Sequence, residues 1–391
     1  MKKICVVIQS RANYARIKSF LRAVEASPYA ELQLICAGSL MLYRFGTPLD
    51  QVVNDGFVPD HYVYGCVEGD KPVTMAKSLG LTILELSSIF EQTKPDYVLT
   101  VADRYETLAT AAAASYMNIP LIHTQGGEVT GSLDESVRHA ITKLAHIHFP
   151  ATQRSSDYLK RMGEDEAFIC MSGCPALDLL DSIKDPLTID ILNKYGGVGK
   201  PIDLTQNYIV VLFHPVTTEY ANAPQQTREL LNAMLEFSRS NYQIVWLWPN
   251  IDSGSDGISK TLRKFREDNP EAPFHFFKNF SPEDYIRLLK SSSVLVGNSS
   301  SGIRECSYLG IPTVNIGSRQ ANREKAENVI SCPAESTAII SATNDRINHG
   351  SFPSSKLYGD GKAGQRMLDF ILKTTPRIQK QLSYLNPTSF D

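Results

Sequence analysis

The chain lacks what several functional classes require. It has no surplus of one charge: 39 Lys and Arg stand against 42 Asp and Glu, a formal net charge of -3. No global field therefore draws in a polyanion, and neither nucleic acid nor a membrane surface is an expected partner without a local patch. Long apolar runs are missing too; the stretches 97–101 and 208–213 fall far short of the ~20 residues of a spanning helix. After the basic start Lys2-Lys3 the apolar run is interrupted at once by Gln9-Ser10-Arg11, which reads as a first strand and not as a signal peptide. There is no Cys-x-x-Cys pair. The seven cysteines, at 5, 36, 66, 170, 174, 306 and 332, are odd in number and mostly embedded in strand-like runs, as buried thiols in a reducing cytoplasm are. Neither Cys170 and Cys174 nor His123, His139, His146 and His148 have partners at metal spacing, so no metal is expected. A Gly-Lys-Ser/Thr phosphate loop, short-period repeats and low-complexity segments are also absent.

What is present is an ordinary globular composition, 42 % apolar and 21 % charged, over 391 residues. That length exceeds the usual single core, so two domains are expected. Apolar β-branched runs alternate with helical patterns: strands at 3–8, 32–36, 61–64, 97–101, 120–123 and 147–149, helices at 14–25, 73–92, 105–117 and 135–145. Such alternation predicts a parallel, doubly wound α/β sheet with ligand groups at the carboxyl ends of its strands. Residues 9–13, Asp103 and 124–128 fall at such ends. The segment 185–205, with two prolines and Gly196-Gly197-Val198-Gly199, reads as a linker. Alternation then restarts with strands at 208–213, 243–247, 274–277, 294–297 and 313–316 and helices at 225–238, 282–289 and from 302. The expected architecture is two similar halves facing across a cleft: 1–190, 206–360, and a final helix and tail at 361–391 that packs back on the first half.

The chemistry-bearing groups cluster. Between residues 103 and 148 lie Asp103, Glu106, Glu128, Asp134 and Glu135, interleaved with Arg104, His123, Arg138 and His139, a dense supply of proton-transfer groups. Asp134 is expected at or near the start of a helix, where a carboxylate also caps. In the second half, Gly297-Asn298-Ser299-Ser300-Ser301-Gly302 follows a strand and opens a helix. Its small residues and hydroxyls suit a phosphate, with a Ser-rich cap and turn as the alternative. Glu305 stands one turn on, in reach of ribose hydroxyls or simply solvated. Arg11, Arg319 and Arg323 are candidate phosphate partners, and His214, at a strand end, a candidate proton donor or anion partner.

In order along the chain, Asp103-Arg104-Tyr105-Glu106, His123-x-x-Gly126-Gly127-Glu128, Asp134-Glu135-Ser136-Val137-Arg138-His139, Gly173-Cys174-Pro175, His214-Pro215 and Gly297-Asn298-Ser299-Ser300-Ser301-Gly302-x-Arg304-Glu305 resemble the hydrolysing nucleotide-sugar 2-epimerases. The familiar member converts UDP-N-acetylglucosamine to N-acetylmannosamine and UDP for sialic acid synthesis. The resemblance runs from about residue 4 to residue 330. It implies a GT-B fold of two Rossmann-like domains, a cytoplasmic homodimer or homotetramer, and no metal or redox cofactor. By resemblance, Asp103, Glu128 and Asp134 are the acid–base groups and His214 serves the leaving-group side. Arg11, Ser299, Ser300, Ser301, Glu305, Arg319 and Arg323 hold the nucleotide, and Arg104, Gln125, Gly127 and Arg138 face the sugar. The residue before the Gly-Gly pair is Glu in several members of that family and Gln125 here. An amide cannot be a base, so either Glu128 carries that duty or Gln125 holds an acetamido group. The alternative substrate is UDP- or GDP-linked 2,4-diacetamido-2,4,6-trideoxyglucose, on the way to legionaminic acid. A GT-B glycosyltransferase and a non-catalytic sugar-nucleotide sensor are the readings of other classes.

Overall fold

Strands apolar on both faces need cover on both sides, which only a layered arrangement supplies. The computed structural model of the protein describes residues 1–42, 48–69, 71–249 and 253–384. Its first sheet comprises β1 (Lys2–Ile8), β2 (Ala30–Ala37), β3 (His61–Val63), β4 (Tyr97–Val101), β5 (Leu121–Thr124) and β6 (Ile147–Phe149), all parallel, in the order β3-β2-β1-β4-β5-β6. The second comprises β7 (Val198–Gly199), β8 (Tyr208–Leu212), β9 (Gln243–Leu247), β10 (Phe274–Phe277), β11 (Val294–Gly297), β12 (Thr313–Ile316) and β13 (Val329–Cys332), in the order β13-β12-β11-β8-β9-β10-β7. Apart from β7, which pairs antiparallel with β10, the second sheet repeats the strand order of the first. This is the expected GT-B fold, two Rossmann-like domains. Strand order reverses between β1 and β4 and again between β8 and β11, and ligands of such sheets bind at these reversals.

Each sheet buries an apolar cluster on both faces. In the first, Ile4, Val6 and Leu99 point one way, Cys5, Val7 and Val98 the other; in the second, Val210 and Leu295 oppose Val211 and Val296. Helix Ala363–Lys373 sends Met367, Leu368 and Ile371 into the core of the first sheet. The last seven residues of the expected tail, 385–391, lie outside the described residues.

Several elements differ from the sequence expectation, each for a local reason. The helix expected over 14–25 is two helices, Arg11–Ala15 and Lys18–Glu25, because Ile17 leaves helical geometry (φ -130°, ψ -8°). The segment read as a linker carries helix Ile189–Tyr195 and β7, and its Leu187, Leu192 and Ile202 are buried in the second core. Helices Gln153–Arg161, Ser255–Asp268 and Ser336–His349 and strand β13 were passed over; β13 is a half-exposed edge strand with little apolar signal. The helix expected from 302 breaks at Arg304 into Ser300–Ile303 and Glu305–Leu309. Helix Pro72–Thr93 is, against expectation, long and apolar enough to cross a bilayer by composition. Its Leu86, Ile89 and Phe90 are buried on the first sheet.

The chain crosses between the domains twice, and the crossings touch. Cys174 N donates to Tyr358 O at 2.7 Å, and beside this bond Gly173 and Gly359 pack face to face at φ +84° and +136°. A Cβ on Gly359 would sit 3.1 Å from the Gly173 Cα, on a backbone conformation that disfavours side chains. Gly359→Ala is expected to lower unfolding stability by about 1–3 kcal/mol, read from the denaturant midpoint; an unchanged midpoint would show that the crossing tolerates a side chain.

Candidate functional site

The carboxyl ends of β1, β4, β8 and β11 converge on one cleft between the domains. It encloses about 970 Å³ including its open mouth. Of the residues expected to act, Asp103, Asp134, His214, Arg11, Arg104, Ser299, Ser300, Ser301, Glu305 and Arg319 line it. Glu128, Arg323, Gln125, Gly127 and Arg138 do not; they sit behind its wall.

Asp103 is set by the turn that ends β4. Ala102 there takes φ 64°, a left-handed conformation that costs a non-glycine residue and survives only where its surroundings over-determine it. Ala102 N donates to Thr124 O at 3.2 Å, and the Ala102 carbonyl pairs with His123 Nε2 at 2.8 Å. A carbonyl can only accept, so His123 carries its proton on Nε2 and accepts from Thr142 Oγ1 at Nδ1, 3.3 Å away. Burial lowers the His123 pKa to about 3, so the ring is a neutral brace for this turn. Beyond it, Arg138 donates to the Asp103 carboxylate. Burial pushes Asp103 up, but the guanidiniums of Arg138, Arg16 and Arg323 outweigh it and hold the group ionised, far below the usual carboxylate range. Asp134 occupies the first turn of helix Asp134–Leu144, at the positive end of its dipole. It is not the cap: Leu133 holds that place, and Glu135 reaches back to accept from Thr130 N at 2.7 Å.

The facing wall carries hydroxyl and guanidinium donors. Ser299, at the cap of helix Ser300–Ile303, shares a 2.9 Å hydroxyl contact with Ser301, which also meets Tyr285 OH at 2.7 Å. Ser300 Oγ accepts from Arg16 Nη2 of the other domain at 2.6 Å. Asn298 ties the strand ends together: its Oδ1 accepts from His214 N at 2.7 Å and its Nδ2 donates to His214 O at 2.8 Å. Its carbonyl accepts from Arg319 Nη1 at 3.1 Å and Gln320 Nε2 at 2.9 Å. Burial, and then Arg319, Arg11 and Arg104, press the His214 pKa well below its ordinary value, so the imidazole is a neutral donor. Glu305 keeps one buried carboxylate oxygen with no protein partner, an acceptor suited to a ligand hydroxyl. Arg11 reaches over from the first domain and donates to Lys278 O at 2.8 Å, Asn279 Oδ1 at 3.1 Å and Trp248 O at 3.1 Å.

The residues behind the wall have other work. Arg104 forks onto Glu106 at 3.0 and 3.1 Å while still lining the cleft. Gly127 (φ +76°) is a packing position, since a Cβ there would stand 2.1 Å from Ser155 O. Gln125 (φ 61°) is buried, with Nε2 on Cys174 Sγ at 3.4 Å and Oε1 without a partner. Arg323, expected on a phosphate, lies 2.9 Å from Glu128, which also receives Arg304 Nη2 at 2.6 Å. The sequence reading missed Arg16 and Tyr285; the Arg11-x-x-x-x-Arg16 spacing was the available signal for the first, and nothing local marked the second. All seven cysteines are unpaired. Among the described residues, no three His, Cys, Asp or Glu side chains group as metal ligands.

The sequence model of the family described as UDP-N-acetylglucosamine 2-epimerase matches residues 22–372. The chain is 34 % identical over 386 residues, 99 % of each chain, to a UDP-N,N'-diacetylbacillosamine 2-epimerase (hydrolyzing) of Legionella pneumophila. It is 33 % identical over 361 residues, 92 % of each chain, to a UDP-N-acetylglucosamine 2-epimerase of Neisseria meningitidis. A structure of UDP-GlcNAc 2-epimerase of Methanocaldococcus jannaschii with UDP-GlcNAc and UDP superposes with a TM-score of 0.80 at 15 % identity, over 95 % of this chain and 100 % of that one, which establishes the fold.

His123 and His214 are held neutral below their unfolded pKa. Below about pH 6.5 the unfolded chain therefore binds protons that the folded chain refuses, so stability rises with pH across this window and is lost on acidification. The expected loss is about 1.4 kcal/mol per pH unit for each imidazole. Thermal midpoints measured from roughly pH 7.5 to pH 5 check this, and a level profile would mean the rings are charged in the fold.

Proposed function

The chain belongs to the UDP-N-acetylglucosamine 2-epimerase family, and from that premise we propose that it is a hydrolysing 2-epimerase, converting UDP-N-acetylglucosamine and water to N-acetylmannosamine and UDP. The observation that carries this reading is the meeting of Asp103, Asp134 and Arg16, from the first domain, with the Ser299–Ser301 hydroxyls, Arg319 and His214 in one cleft. A proton at C2 of a hexose has no neighbouring carbonyl and is not acidic. It becomes acidic once the C1–O bond breaks and the diphosphate leaves with the bonding electrons. Guanidiniums and hydroxyls aimed at the departing charge lower that barrier, and the neutral His214 imidazole donates an N–H to the same oxygens. Glu305 accepts from the ribose hydroxyls.

With C1 carrying positive charge, even a weak base can take the C2 proton. Asp103, kept ionised by Arg138 and Arg16, has the required protonation state, and a C1–C2 double bond forms. Water then adds its oxygen to C1 while a proton is delivered to C2 from the opposite face, a duty assigned to Asp134. Atoms balance: one water is consumed, and UDP and the inverted free sugar are released. No redox partner takes part.

A second substrate, UDP-N,N'-diacetylbacillosamine, is supported by the 34 % identity over 99 % of both chains to the Legionella protein of that name. Both substrates lose UDP by the same route, so they differ only in the groups at C4 and C6. Incubation with each UDP-sugar in deuterated water should release UDP and a 2-epimerised sugar carrying one deuterium at C2. Release of sugar with its original configuration would overturn the mechanism. Asp103→Asn and Asp134→Asn should each reduce turnover about 100- to 10,000-fold while UDP affinity, measured by calorimetry, changes only a few-fold. Comparable losses in both quantities would mark these carboxylates as structural.

A further inference from the structure

Glu128 belongs to the first domain, but its side chain is spent on the second. The carboxylate is buried, its side chain 3 % exposed, with Oε2 2.6 Å from Arg304 Nη2 and 2.9 Å from Arg323 Nη2. Its main-chain oxygen accepts from Arg138 Nη1 at 2.7 Å. The other terminal nitrogen of the same guanidinium donates to Asp103 and, at 3.2 Å, to Thr130 Oγ1. Arg304 itself lies at the break between helices Ser300–Ile303 and Glu305–Leu309, directly before Glu305. A buried chain of contacts thus runs from Arg304, beside the serine loop, through the Glu128 side chain and main-chain carbonyl to Arg138 and Asp103. Nearby, Gly131 N donates to Arg319 O at 3.3 Å, and a side chain at 131 would collide with the Ser318 carbonyl, so the domains meet closely at this point.

We propose that Glu128 is an interdomain clamp and a positioning residue: it fastens the first domain to Arg304 and Arg323 and, through Arg138, sets the carboxylate of Asp103 in the cleft. This rests on the epimerase reading for the role of Asp103, but the clamp itself does not. Three observations separate Glu128 from a proton carrier. It does not line the cleft. Two guanidiniums hold its one paired oxygen, charge-assisted contacts of the strong class. And its main-chain oxygen, not its side chain, grips the arginine that holds Asp103. Arg304 and Arg323 are both buried, so without Glu128 two like charges face each other without the carboxylate that bridges them, an arrangement far costlier than the loss of one surface pair. The domains must then part or the arginines turn into the cleft, and Asp103 loses its register. A displacement of about 1 Å at a reacting group is enough for a roughly 100-fold loss of rate.

The test is Glu128→Gln, which keeps shape and removes charge. Expected are a turnover at least about 100-fold lower, a UDP dissociation constant raised about 10-fold, and a larger radius of gyration by small-angle scattering, with and without UDP. The pH profile of the residual turnover keeps both limbs, and the product still carries one solvent deuterium at C2. Adding Arg323→Met to Glu128→Gln removes one uncompensated guanidinium and should recover part of the UDP affinity and compactness, a non-additive result. The clamp is overturned if Glu128→Gln binds UDP and scatters like the parent protein while losing turnover or one limb of the pH profile. If Glu128→Gln does not fold, Glu128→Asp, which keeps the charge at shorter reach, is read in the same way: weaker UDP binding with an unaltered pH profile supports the clamp, and an altered profile with parental UDP binding sinks it. UDP binding and scattering need no turnover, so failure of every UDP-sugar to react would refute the assigned reaction and leave the clamp to stand or fall separately.

Discussion

The constraint on which this molecule depends is the excess of guanidinium charge in the cleft between its domains. Arg11, Arg16, Arg104 and Arg319 line the cleft, and Arg138, Arg304 and Arg323 stand directly behind it. The carboxylates that answer them are fewer: Asp103, Asp134 and Glu305 at the surface of the cleft, Glu106 and Glu128 behind. The imbalance is felt by two of its members, whereas in Arg138 and Arg304 burial is outweighed by Asp103 and Glu128, which raise them. Burial and the nearby Arg304 lower Arg16, and burial, only partly offset by Glu128, brings Arg323 down to about 10. A site so charged favours any process in which negative charge develops inside it, and the departure of a diphosphate is such a process. The carboxylates are then not spare bases scattered through a loop: Asp103, Glu106 and Glu128 are each fixed by an arginine, while Asp103, Asp134 and Glu305 face the open cleft.

A charged site of this kind needs walls that do not relax, and the sheets supply them. The Asn298 amide locks the ends of β8 and β11 to one another by accepting from the N–H and donating to the C=O of His214. At the corresponding reversal of the first sheet, the left-handed turn at Ala102 is held by His123 and Thr124. Each domain thus offers a braced rim. The domains are joined at the paired crossings at Gly173 and Gly359, and Arg11 on Trp248 and Lys278, Arg16 on Ser300 and Lys18 on Glu283 hold the rims together. Domain motion with a completed site only in the closed arrangement is the ordinary behaviour of two-domain transferases and hydrolases.

Much of this was legible in the sequence because parallel sheets announce themselves. β1, β4, β8 and β11 are buried on both faces, so each reads as an unbroken apolar run, and the residues that follow them, Arg11, Asp103, His214 and Ser299, had to lie at the cleft. The edge strands, the short, exposed β7 and the half-exposed β13, gave no such signal. The direction of side chains on loops was not legible either. Glu128 follows two glycines and reads as a ligand-facing carboxylate; what turns it away are Arg304 and Arg323, some 176 and 195 positions later in the sequence. A buried ion pair of such long range leaves no local pattern. Arg16 was hidden differently, on a helix whose break at Ile17 aims it across the cleft.

Gln125 shows how the charge constraint reaches a position with no charge at all. Its backbone is in the left-handed region, its amide faces the Cys174 thiol, and its Oε1 has no partner. Cys174 is itself buried, and desolvation raises its pKa to about 11, so it offers no cation and only a weak donor. A carboxylate at 125 in this setting would be desolvated beside a thiol, and burial of that kind raises a carboxyl pKa by units unless a positive partner compensates. The neighbouring guanidiniums are already engaged: Arg138 with Asp103 and Thr130, Arg304 and Arg323 with Glu128. An amide meets these conditions at lower cost than an acid, because it satisfies the backbone turn and the thiol contact without asking for a counter-charge. The absence of a base at 125 and the withdrawal of Glu128 into the clamp therefore have one consequence. Under the proposed reaction, proton exchange with a ligand then falls to Asp103 and Asp134, the two first-domain carboxylates that the cleft exposes.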